Sequence, residues 1–327
     1  MPTPPRLPHC TVAIVWLLCL LSGLPAIART AEPAEPPWVL VLQSETGGAY
    51  GELVDALRAQ TDPARLNVRS QLIPDGAQAL AQLLDGRPDL IVPVGIRATA
   101  LVLRQAGDLP VLSVLVPAHS YQTLLADTDS GNTAKRRSAL YLDQPLARQL
   151  DLLRLILPEV TRLGVLAGAH ADPQLPALQR LSDLHGLTLI TEAVAAGTNP
   201  VPALGRLLDH AQVLLALPDP AVFNRASLRA ILLTTYRSNV PVLGFSRAYV
   251  DAGALAAVYS SARQLGTQAG EWIAELATHP DWRPGPPRHP AYFSVSVNTQ
   301  VARSLGLSVP DEHRLLIDLR ALEEHSP

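Results

Sequence analysis

The sequence contains very little cysteine and almost no lysine. Among 327 residues there are two cysteines, Cys10 and Cys19, and one lysine, Lys135. A disulfide-rich scaffold and a cysteine-based metal site therefore have no support. Because a P-loop or a Schiff-base site needs a lysine, neither can be built anywhere except at Lys135.

Other chemical signatures are also missing. The formal net charge is -3, so no basic surface for nucleic acid is expected. No two histidines are spaced four residues apart, and the segment 244–248 (GFSRA) lacks the second glycine of a nucleophile elbow. These absences predict no catalytic residues, no metal and no cofactor, and they argue against an enzyme.

The N-terminus carries the pattern of an export signal. Arg6 precedes an apolar stretch at 11–24, which leads into Pro25-Ala26-Ile27-Ala28. This order of positive, apolar and small residues predicts a signal peptide at 1–28, cleaved after Ala28. An uncleaved anchor and a lipoprotein attached through Cys19 are the alternatives. Residues 29–37 are rich in proline and are expected to be a disordered leader.

One pattern occurs twice in the chain, at 89–115 and at 212–245. Each copy has an apolar run, a loop, an amphipathic stretch and a second apolar run that opens with Pro-Val-Leu. The four runs are Leu90–Val94, Val111–Val116, Val213–Leu217 and Val240–Gly244. Short runs without polar alternation are typical of strands buried on both faces of a parallel sheet. The repetition predicts an α/β protein with two Rossmann-like lobes, with ligand binding at the carboxyl ends of the strands.

Two local predictions concern the middle of the chain. The segment 117–137 is polar and is expected to be a long loop. Asp143 precedes Pro145 and the apolar stripe of Leu146, Leu150 and Leu153, and this order predicts a helix with Asp143 as its N-cap.

The last third of the chain resembles the substrate-binding proteins of ABC importers, in particular the family with tryptophan- and tyrosine-type binding proteins. The similar segments are LPDPAVFN at 217–224, VPVLGFSRAYVDAGALAAVYSSARQLGTQAGEWIAEL at 240–276 and FSVSVNTQVARSLGLSVPDE at 293–312. In the first half, the likeness is one of order, carried by DLIVPVGIRATAL and LPVLSVLVP.

The resemblance implies a type I periplasmic-binding-protein-like fold in which three crossovers join the two lobes. Lobe 1 would comprise 38–140 plus 253–280, and lobe 2 would comprise 141–252 plus 288–327, with hinges near 139–144, 246–253 and 279–291. It also implies a periplasmic, monomeric protein that traps a small ligand, such as an amino acid or a related metabolite, and delivers it to an ABC permease in the inner membrane.

The chain departs from the amino-acid-binding relatives in two loops. Residues 95–97 read Gly-Ile-Arg, and 117–119 read Pro-Ala-His, where those relatives often carry Thr-Pro and Thr-Asp-Pro types. The departures favour, as an alternative, the same fold used as a sensor or accessory subunit that docks to an envelope receptor. An exported enzyme on the same scaffold is the third reading.

The candidate ligand-binding residues follow the predicted strands. They are Ser44, Thr46, Gly95, Arg97, Asp219, Phe223, Ser246 and Tyr249. Arg97 could meet an anion, Asp219 an amine, and Phe223 a flat ligand. The alternatives are a surface turn for Ser44, Thr46 and Arg97, a helix cap for Asp219, and a place in the core for Phe223. His119 and Tyr121 are weaker candidates.

Overall fold

The computed structural model describes residues 1–2, 36–128, 136–168, 171–279 and 282–324. Contacts divide the chain into two units, Met1–Glu35 and Pro36–Pro327, and all the secondary structure below lies in the second. The predicted signal segment, apart from its first two residues, lies outside the described residues. No helix in the described ranges has both the length and the apolarity that crossing a membrane requires.

The first lobe is built on a parallel five-stranded sheet. Its strands are β1 (Trp38–Gln43), β2 (Asn67–Leu72), β3 (Leu90–Val94), β4 (Val111–Val116) and β5 (Arg137–Tyr141), in the order β2-β1-β3-β4-β5. Its helices are α1 (Gly48–Ala59), α2 (Ala77–Leu84), α3 (Ile96–Gln105) and α4 (Ala118–Ala126). The strands predicted at 90–94 and 111–116 are confirmed.

Both faces of this sheet are covered, which explains the apolar runs. Val39 and Val41 of β1 face a core cluster shared with α1, whereas Leu40 and Leu42 face a second cluster shared with α2, α3 and α4. Successive side chains of a strand point to opposite faces, so a strand covered on both sides needs apolar residues at every position.

The second lobe repeats this arrangement. Its elements are α5 (Leu146–Ile156), β6 (Arg162–Ala167), α6 (Leu175–Leu184), β7 (Thr188–Ala193), α7 (Val201–Leu208), β8 (Val213–Leu215), α8 (Leu228–Arg237), β9 (Val242–Gly244), α9 (Arg247–Ala252) and β10 (Ala256–Tyr259). Strands β7-β6-β8-β9-β10 lie in the same spatial order as the five strands of the first lobe. The predicted repetition of two α/β lobes is therefore confirmed.

The rest of the chain is divided between the lobes. These elements are α10 (Ala262–Ala274) with a 3-10 turn at Glu275–Ala277, β11 (Ser294–Val297), α11 (Thr299–Ser304) and α12 (Glu312–Glu324). Helix α10 packs in the first lobe, whereas β11 pairs antiparallel with β10 at the edge of the second sheet. The chain therefore crosses between the lobes three times, after β5, after β10 and before β11.

The second crossover differs from the prediction. The expected hinge at 246–253 forms the helix α9 and its C-cap inside the second lobe, and β10 belongs to the second sheet although 253–280 was assigned to the first. The chain crosses instead at Ser260 and Ser261, between β10 and α10. The reason is topological. Strand β10 holds the position in the second sheet that β5 holds in the first, so the chain leaves the second lobe only after β10.

The predicted loop at 117–137 was wrong in its first half. Helix α4 occupies 118–126, and residues 129–135 lie outside the described part of the chain. Tyr121 is 1% exposed and packs on the first-lobe core, with Leu124 and Leu125 against the same cluster. Tyr121 is the one fully buried residue of this helix, and four of its nine residues are polar, so its sequence shows no wide apolar stripe.

Two glycines allow α10 to pack closely on α1. A Cβ atom at Gly266 would lie 2.2 Å from the Leu53 carbonyl oxygen, and one at Gly270 would lie 2.5 Å from the Leu57 carbonyl oxygen. The helix begins with a capping box in which the Ser261 hydroxyl and the Gln264 side chain each bond the other's backbone N–H. Helix α10, which follows the second crossover, is therefore packed against the first lobe along its length.

This packing predicts opposite effects for two glycine substitutions. Gly266→Ala should lower the free energy of unfolding by about 1–3 kcal/mol, because the added methyl has no space. Gly205→Ala, in helix α7 with nothing within 4 Å of its Cβ position, should raise it by about 1 kcal/mol. Urea unfolding of both variants measures the difference. A Gly266→Ala variant as stable as Gly205→Ala would contradict the close packing.

Candidate functional site

A cavity lies where the crossovers meet the ends of the strands. Its volume is about 160 Å³. It is lined by Pro117, Leu142, Asp143, Gln144, Gln149, Pro218, Phe245, Ser246, Val258, Tyr259 and Ser260. These residues come from both lobes and from two of the three crossovers, so the cavity is at the junction of the lobes.

The strand order explains why these residues meet. Pro117 follows β4, Pro218 lies three residues beyond β8, Phe245 and Ser246 follow β9, and Tyr259 ends β10. Carboxyl ends of parallel strands share one edge of a sheet, and this edge is where ligands bind in open α/β sheets. The cavity is therefore at the edge predicted for a ligand.

Strand β4 ends in an irregularity beside the cavity. Its register with β5 shifts between Val114 and Val116, and Leu115 has a positive φ of 58°. A bulge of this kind redirects the following residues and is common next to functional sites. Here the next residue after the strand is Pro117, which lines the cavity.

Hydrogen bonds join the three crossovers. Gln144 Nε2 donates to Ser260 Oγ at 2.8 Å, and the Ser260 hydroxyl donates to the Tyr292 carbonyl oxygen at 2.6 Å. Arg148 Nη1 donates to Gln144 Oε1 at 2.5 Å and to the Pro290 carbonyl oxygen at 2.9 Å. We call these five residues the crossover network. The network thus joins the three segments through which the chain passes between the lobes.

Asp143 caps a different helix from the one expected. Its Oδ2 accepts the backbone N–H of Ala118 at 2.5 Å, at the start of α4, whereas α5 begins after Pro145 without a side-chain cap. The predicted N-cap was therefore wrong, because the chain turns Asp143 back towards the first lobe. His289 Nδ1 lies 2.9 Å from the Asp143 carbonyl oxygen, which adds the third crossover to this contact.

Burial raises the pKa of Asp143 above its ordinary value. The hydrogen bond from Ala118 and the nearby imidazoles of His289 and His119 act in the opposite direction without cancelling this effect. The cavity therefore contains a carboxyl group that holds its proton to higher pH than an exposed aspartate does.

Gln149 has an acceptor without a partner. The side chain is 5% exposed, and its Nε2 donates to the Gln144 carbonyl oxygen at 3.3 Å. Its Oε1 is buried and accepts no hydrogen bond. A buried carbonyl oxygen in this state costs about 1–3 kcal/mol of stability.

Ser44 and Gly95 lie at the strand ends of the first lobe and do not line the cavity. The Ser44 hydroxyl donates to the Val94 carbonyl oxygen and accepts the Ala98 N–H, each at 2.9 Å. A Cβ atom on Gly95 would lie 2.8 Å from Ser44 Oγ and 2.8 Å from the ring of Tyr50. These contacts fix β1 to the start of α3, and a direct ligand contact for Ser44 and Gly95 stays a prediction.

Thr46 and Arg97 are exposed near the same strand ends. Arg97 and Glu45 both act on the Tyr50 hydroxyl, whose pKa is raised mainly by burial, further by Glu45, and lowered by Arg97. Neither Thr46 nor Arg97 lines the cavity, so their role as ligand contacts also stays a prediction.

Asp219 is engaged by the backbone of its own lobe. The side chain is 1% exposed, and its carboxylate accepts N–H groups from Ala171 at 3.0 Å and Ala221 at 2.9 Å. A Cβ atom at Gly168 would lie 2.8 Å from Asp219 Oδ2. These contacts favour the capping alternative over an amine-binding role.

Of the predicted residues, only Ser246 lines the cavity. Phe223 and Tyr249 are buried in the second-lobe core, where the Tyr249 hydroxyl donates to the Phe223 carbonyl oxygen at 3.1 Å. Burial raises the pKa of Tyr249 to about 12. Phe245 packs on Tyr249 with ring centroids 4.3 Å apart, so this core holds the Phe245 wall of the cavity in place.

Sequence reasoning missed the crossover side chains. Gln144 and Ser260 are separated by 116 residues, and nothing in their local sequence marks them as partners. Asp143 and Gln149 carried a usable signal, since both lie at the predicted first hinge and helix start. Within the described residues, no group of three His, Cys, Asp or Glu side chains lies close enough to hold a metal ion.

The pKa shift of Asp143 predicts a pH-dependent gain in stability for Asp143→Asn. The amide keeps an acceptor for the Ala118 N–H but carries no charge. A carboxyl with a raised pKa contributes its full stability below the unfolded-state pKa, and this contribution is lost as pH rises through the folded-state pKa. The variant should therefore melt higher than the natural protein at pH 7, and the difference should shrink towards pH 3.5.

Thermal melts across that pH range test this prediction. Asp251→Asn provides the control, because Asp251 is an exposed residue paired with Arg247, and exposed pairs contribute little. A gain for Asp143→Asn that is constant with pH would show that the charge of Asp143 is not the cause.

Known structures share the fold at low sequence identity. The ligand-free, open structure of a substrate-binding protein with adhesive properties from Clostridium difficile superposes with a TM-score of 0.66 at 17% identity, over 84% of this chain and 96% of that chain. An ABC domain from Streptococcus pneumonia in complex with L-Trp gives a TM-score of 0.58 at 17% identity, over 86% of this chain and 98% of that chain.

A solved structure with a bound sugar also shares this fold. An ABC transporter solute-binding protein from Burkholderia graminis in complex with D-arabinose gives a TM-score of 0.52 at 12% identity, over 82% of this chain and 98% of that chain. No curated protein sequence matches the chain. The family described as ABC transporter substrate binding protein matches residues 69–316, which is more than half of the chain. The chain therefore belongs to the family of ABC transporter substrate-binding proteins.

Proposed function

We propose that this protein is the exported solute-binding component of an ABC importer and that it traps a small ligand between its lobes by hinge closure. The observation that carries the proposal is the cavity at the junction, lined by strand ends of both lobes and by two crossovers. Proteins of this family bind small ligands and interact with ABC permeases. No bond is made or broken, and the binding energy favours the closed arrangement.

The crossover network supports closure around this cavity. Gln144 and Ser260 both line the cavity and belong to the network, so a ligand placed there lies within reach of the segments that must bend. Hinge motions of this type involve a few residues at the ends of elements. A ligand that contacts both lobes binds the closed state more tightly and shifts the population towards it.

A ligand screen tests the proposal. Residues 29–327 should show a raised melting temperature with one class among amino acids, small carboxylates and sugars, about 2.7 kcal/mol of stabilisation being expected at a hundred times the dissociation constant. The same ligand should reduce the radius of gyration in small-angle X-ray scattering, because the lobes close. A ligand that stabilises the protein without this contraction would contradict hinge closure.

Two matched substitutions locate the binding site. Ser246→Trp places an indole at a cavity of about 160 Å³ and should weaken ligand binding at least about tenfold. Ser238→Trp makes the same change at an exposed position at the end of α8 and should leave binding unaltered. Equal affinities for both variants would place the ligand elsewhere.

Export is a second part of the proposal. The signal pattern at 1–28 supports a periplasmic location, and mass spectrometry of the mature protein from a periplasmic extract should give a chain that begins at Arg29. An intact N-terminus in the membrane fraction would indicate an anchor, and a lipid-modified chain that begins at Cys19 would indicate a lipoprotein.

A sensor or accessory role is the second candidate. Ile96 is 48% exposed beside Arg97, which is also exposed, and neither residue lines the cavity. This exposed pair at the departure from the amino-acid-binding relatives offers a surface to a protein partner. Binding to a receptor that is lost in Ile96→Asp, with no effect of that variant on ligand affinity, would favour this role.

A further inference from the structure

A larger cavity lies on the surface of the second lobe. Its volume is about 530 Å³, against about 160 Å³ for the cavity at the junction of the lobes, and none of its lining residues lines that other cavity. We call it the α8 groove. It is lined by Arg225, Leu228, Arg229, Leu232, Leu233, Tyr236, Ala252, Gly253 and Val301. A concave, mostly apolar site of this size with a few polar groups is typical of small-molecule binding.

The floor of the groove is an apolar stripe of helix α8. Leu228, Leu232 and Tyr236 are spaced four residues apart and lie on one face of the helix, with Leu233 beside them. Leu233 is 46% exposed and Tyr236 is 49% exposed, so the lobe leaves this part of the stripe uncovered. Neighbouring exposed apolar side chains with a polar rim mark interaction sites on soluble proteins.

The opposite wall makes the site concave. It consists of Ala252 and Gly253 at the end of α9 and of Val301 in α11. A Cβ atom at Gly253 would lie 3.8 Å from Leu232 Cδ1, so the wall meets the floor, and Leu232 at this line of contact is buried. A flat bilayer surface does not reach into such a groove, whereas a small molecule can enter it.

The charged residues of the groove are arginines. Neither Arg225 nor Arg229 makes a side-chain hydrogen bond or ion pair within the described part of the chain, and none of the lining residues is an aspartate or a glutamate. Arg225 precedes α8 and Arg229 is in its first turn, whereas Tyr236 lies about 12 Å along the helix from Leu228. The positive charge is therefore concentrated towards one end of an apolar floor.

We infer that the α8 groove binds a small amphipathic acid. The apolar chain of the acid lies on Leu232, Leu233 and Tyr236, and its carboxylate pairs with Arg225 and Arg229. A guanidinium binds a carboxylate through two parallel hydrogen bonds, so the arginines select an acid over an alcohol or an amine with the same chain. This site is separate from the cavity at the junction and does not depend on the proposed function.

Octanoate, octanol and octylamine test the class of ligand, because they share one alkyl chain and differ in charge. Their binding to the mature chain, residues 29–327, can be measured by ligand-observed NMR. Octanoate should bind at least about tenfold more tightly than octylamine, and octanol should have an intermediate affinity. Equal affinities for octanoate and octylamine would overturn the inference.

Two matched substitutions in α8 locate the site. Arg229→Gln removes a charge from the groove and should weaken octanoate binding about tenfold. Arg237→Gln makes the same change at an exposed position of the same helix that does not line the groove, and it should leave the affinity unaltered. Leu233→Glu places a carboxylate on the floor and should abolish octanoate binding. All three positions are exposed, so the fold should be kept.

Equal octanoate affinities for Arg229→Gln and Arg237→Gln would overturn the inference. Ser246→Trp, which alters the cavity at the junction, should leave octanoate binding unaltered. Loss of octanoate binding in Ser246→Trp would place the acid at the junction, so the inference would fail while the proposed function stands. If no metabolite from the screen binds while octanoate binding depends on Arg229, the proposed function fails and the inference stands.

Other occupants of the groove would give different results. A membrane surface would appear as sedimentation with phosphatidylglycerol vesicles that is lost in Arg229→Gln, without octanoate binding. A second copy of the chain would appear in light scattering as a dimer that Leu233→Glu converts to a monomer, again without octanoate binding. Either result would overturn the inference.

Discussion

The hydrogen bonds among the crossovers are the constraint on which the relation of the two lobes depends. Gln144, in the first crossover, bonds Ser260 in the second, and Ser260 bonds the backbone of Tyr292 in the third. Arg148 joins this chain from the first turn of α5 and also holds Pro290. Side-chain networks in a poorly solvated setting are worth more than their separate bonds, and a half-satisfied network is costly.

The position of the network also decides the chemistry of the cavity. Two polar residues of the lining, Gln144 and Ser260, are bonded within the network, and five other lining residues are apolar. Asp143 holds the start of α4 with its carboxylate, and burial raises its pKa. Gln149, another lining residue, has a buried side-chain oxygen that accepts no hydrogen bond within the described part of the chain.

Two buried charged residues, Arg148 and Asp219, have structural partners within the protein. Arg97 was a candidate for binding an anion and stays one, and the buried arginine of the junction is Arg148, which supports the crossovers. Asp219 was a candidate for an amine, and its oxygens accept backbone N–H groups from Ala171 and Ala221. A buried charge must be compensated within the structure, so the best-buried charged groups are those with structural partners.

The sequence by itself determined the α/β class, the repetition of two lobes and the family. Strands buried on both faces require apolar residues at every position, as in Leu90–Val94, and this requirement is local and readable. Helix α5 was predictable from its apolar stripe of Leu146, Leu150 and Leu153, because a helix that faces the core is apolar on one side.

The tertiary structure alone decided where the chain crosses between lobes and which side chains line the cavity. Strand β10 belongs to the second sheet because it completes the strand order that the first sheet also has. No local sequence pattern indicates to which sheet it belongs. Gln144 meets Ser260 across 116 residues, and Asp143 caps a helix that precedes it rather than the one that follows. Contacts between distant segments depend on how the lobes pack, whereas periodicity reports only which face of an element is buried.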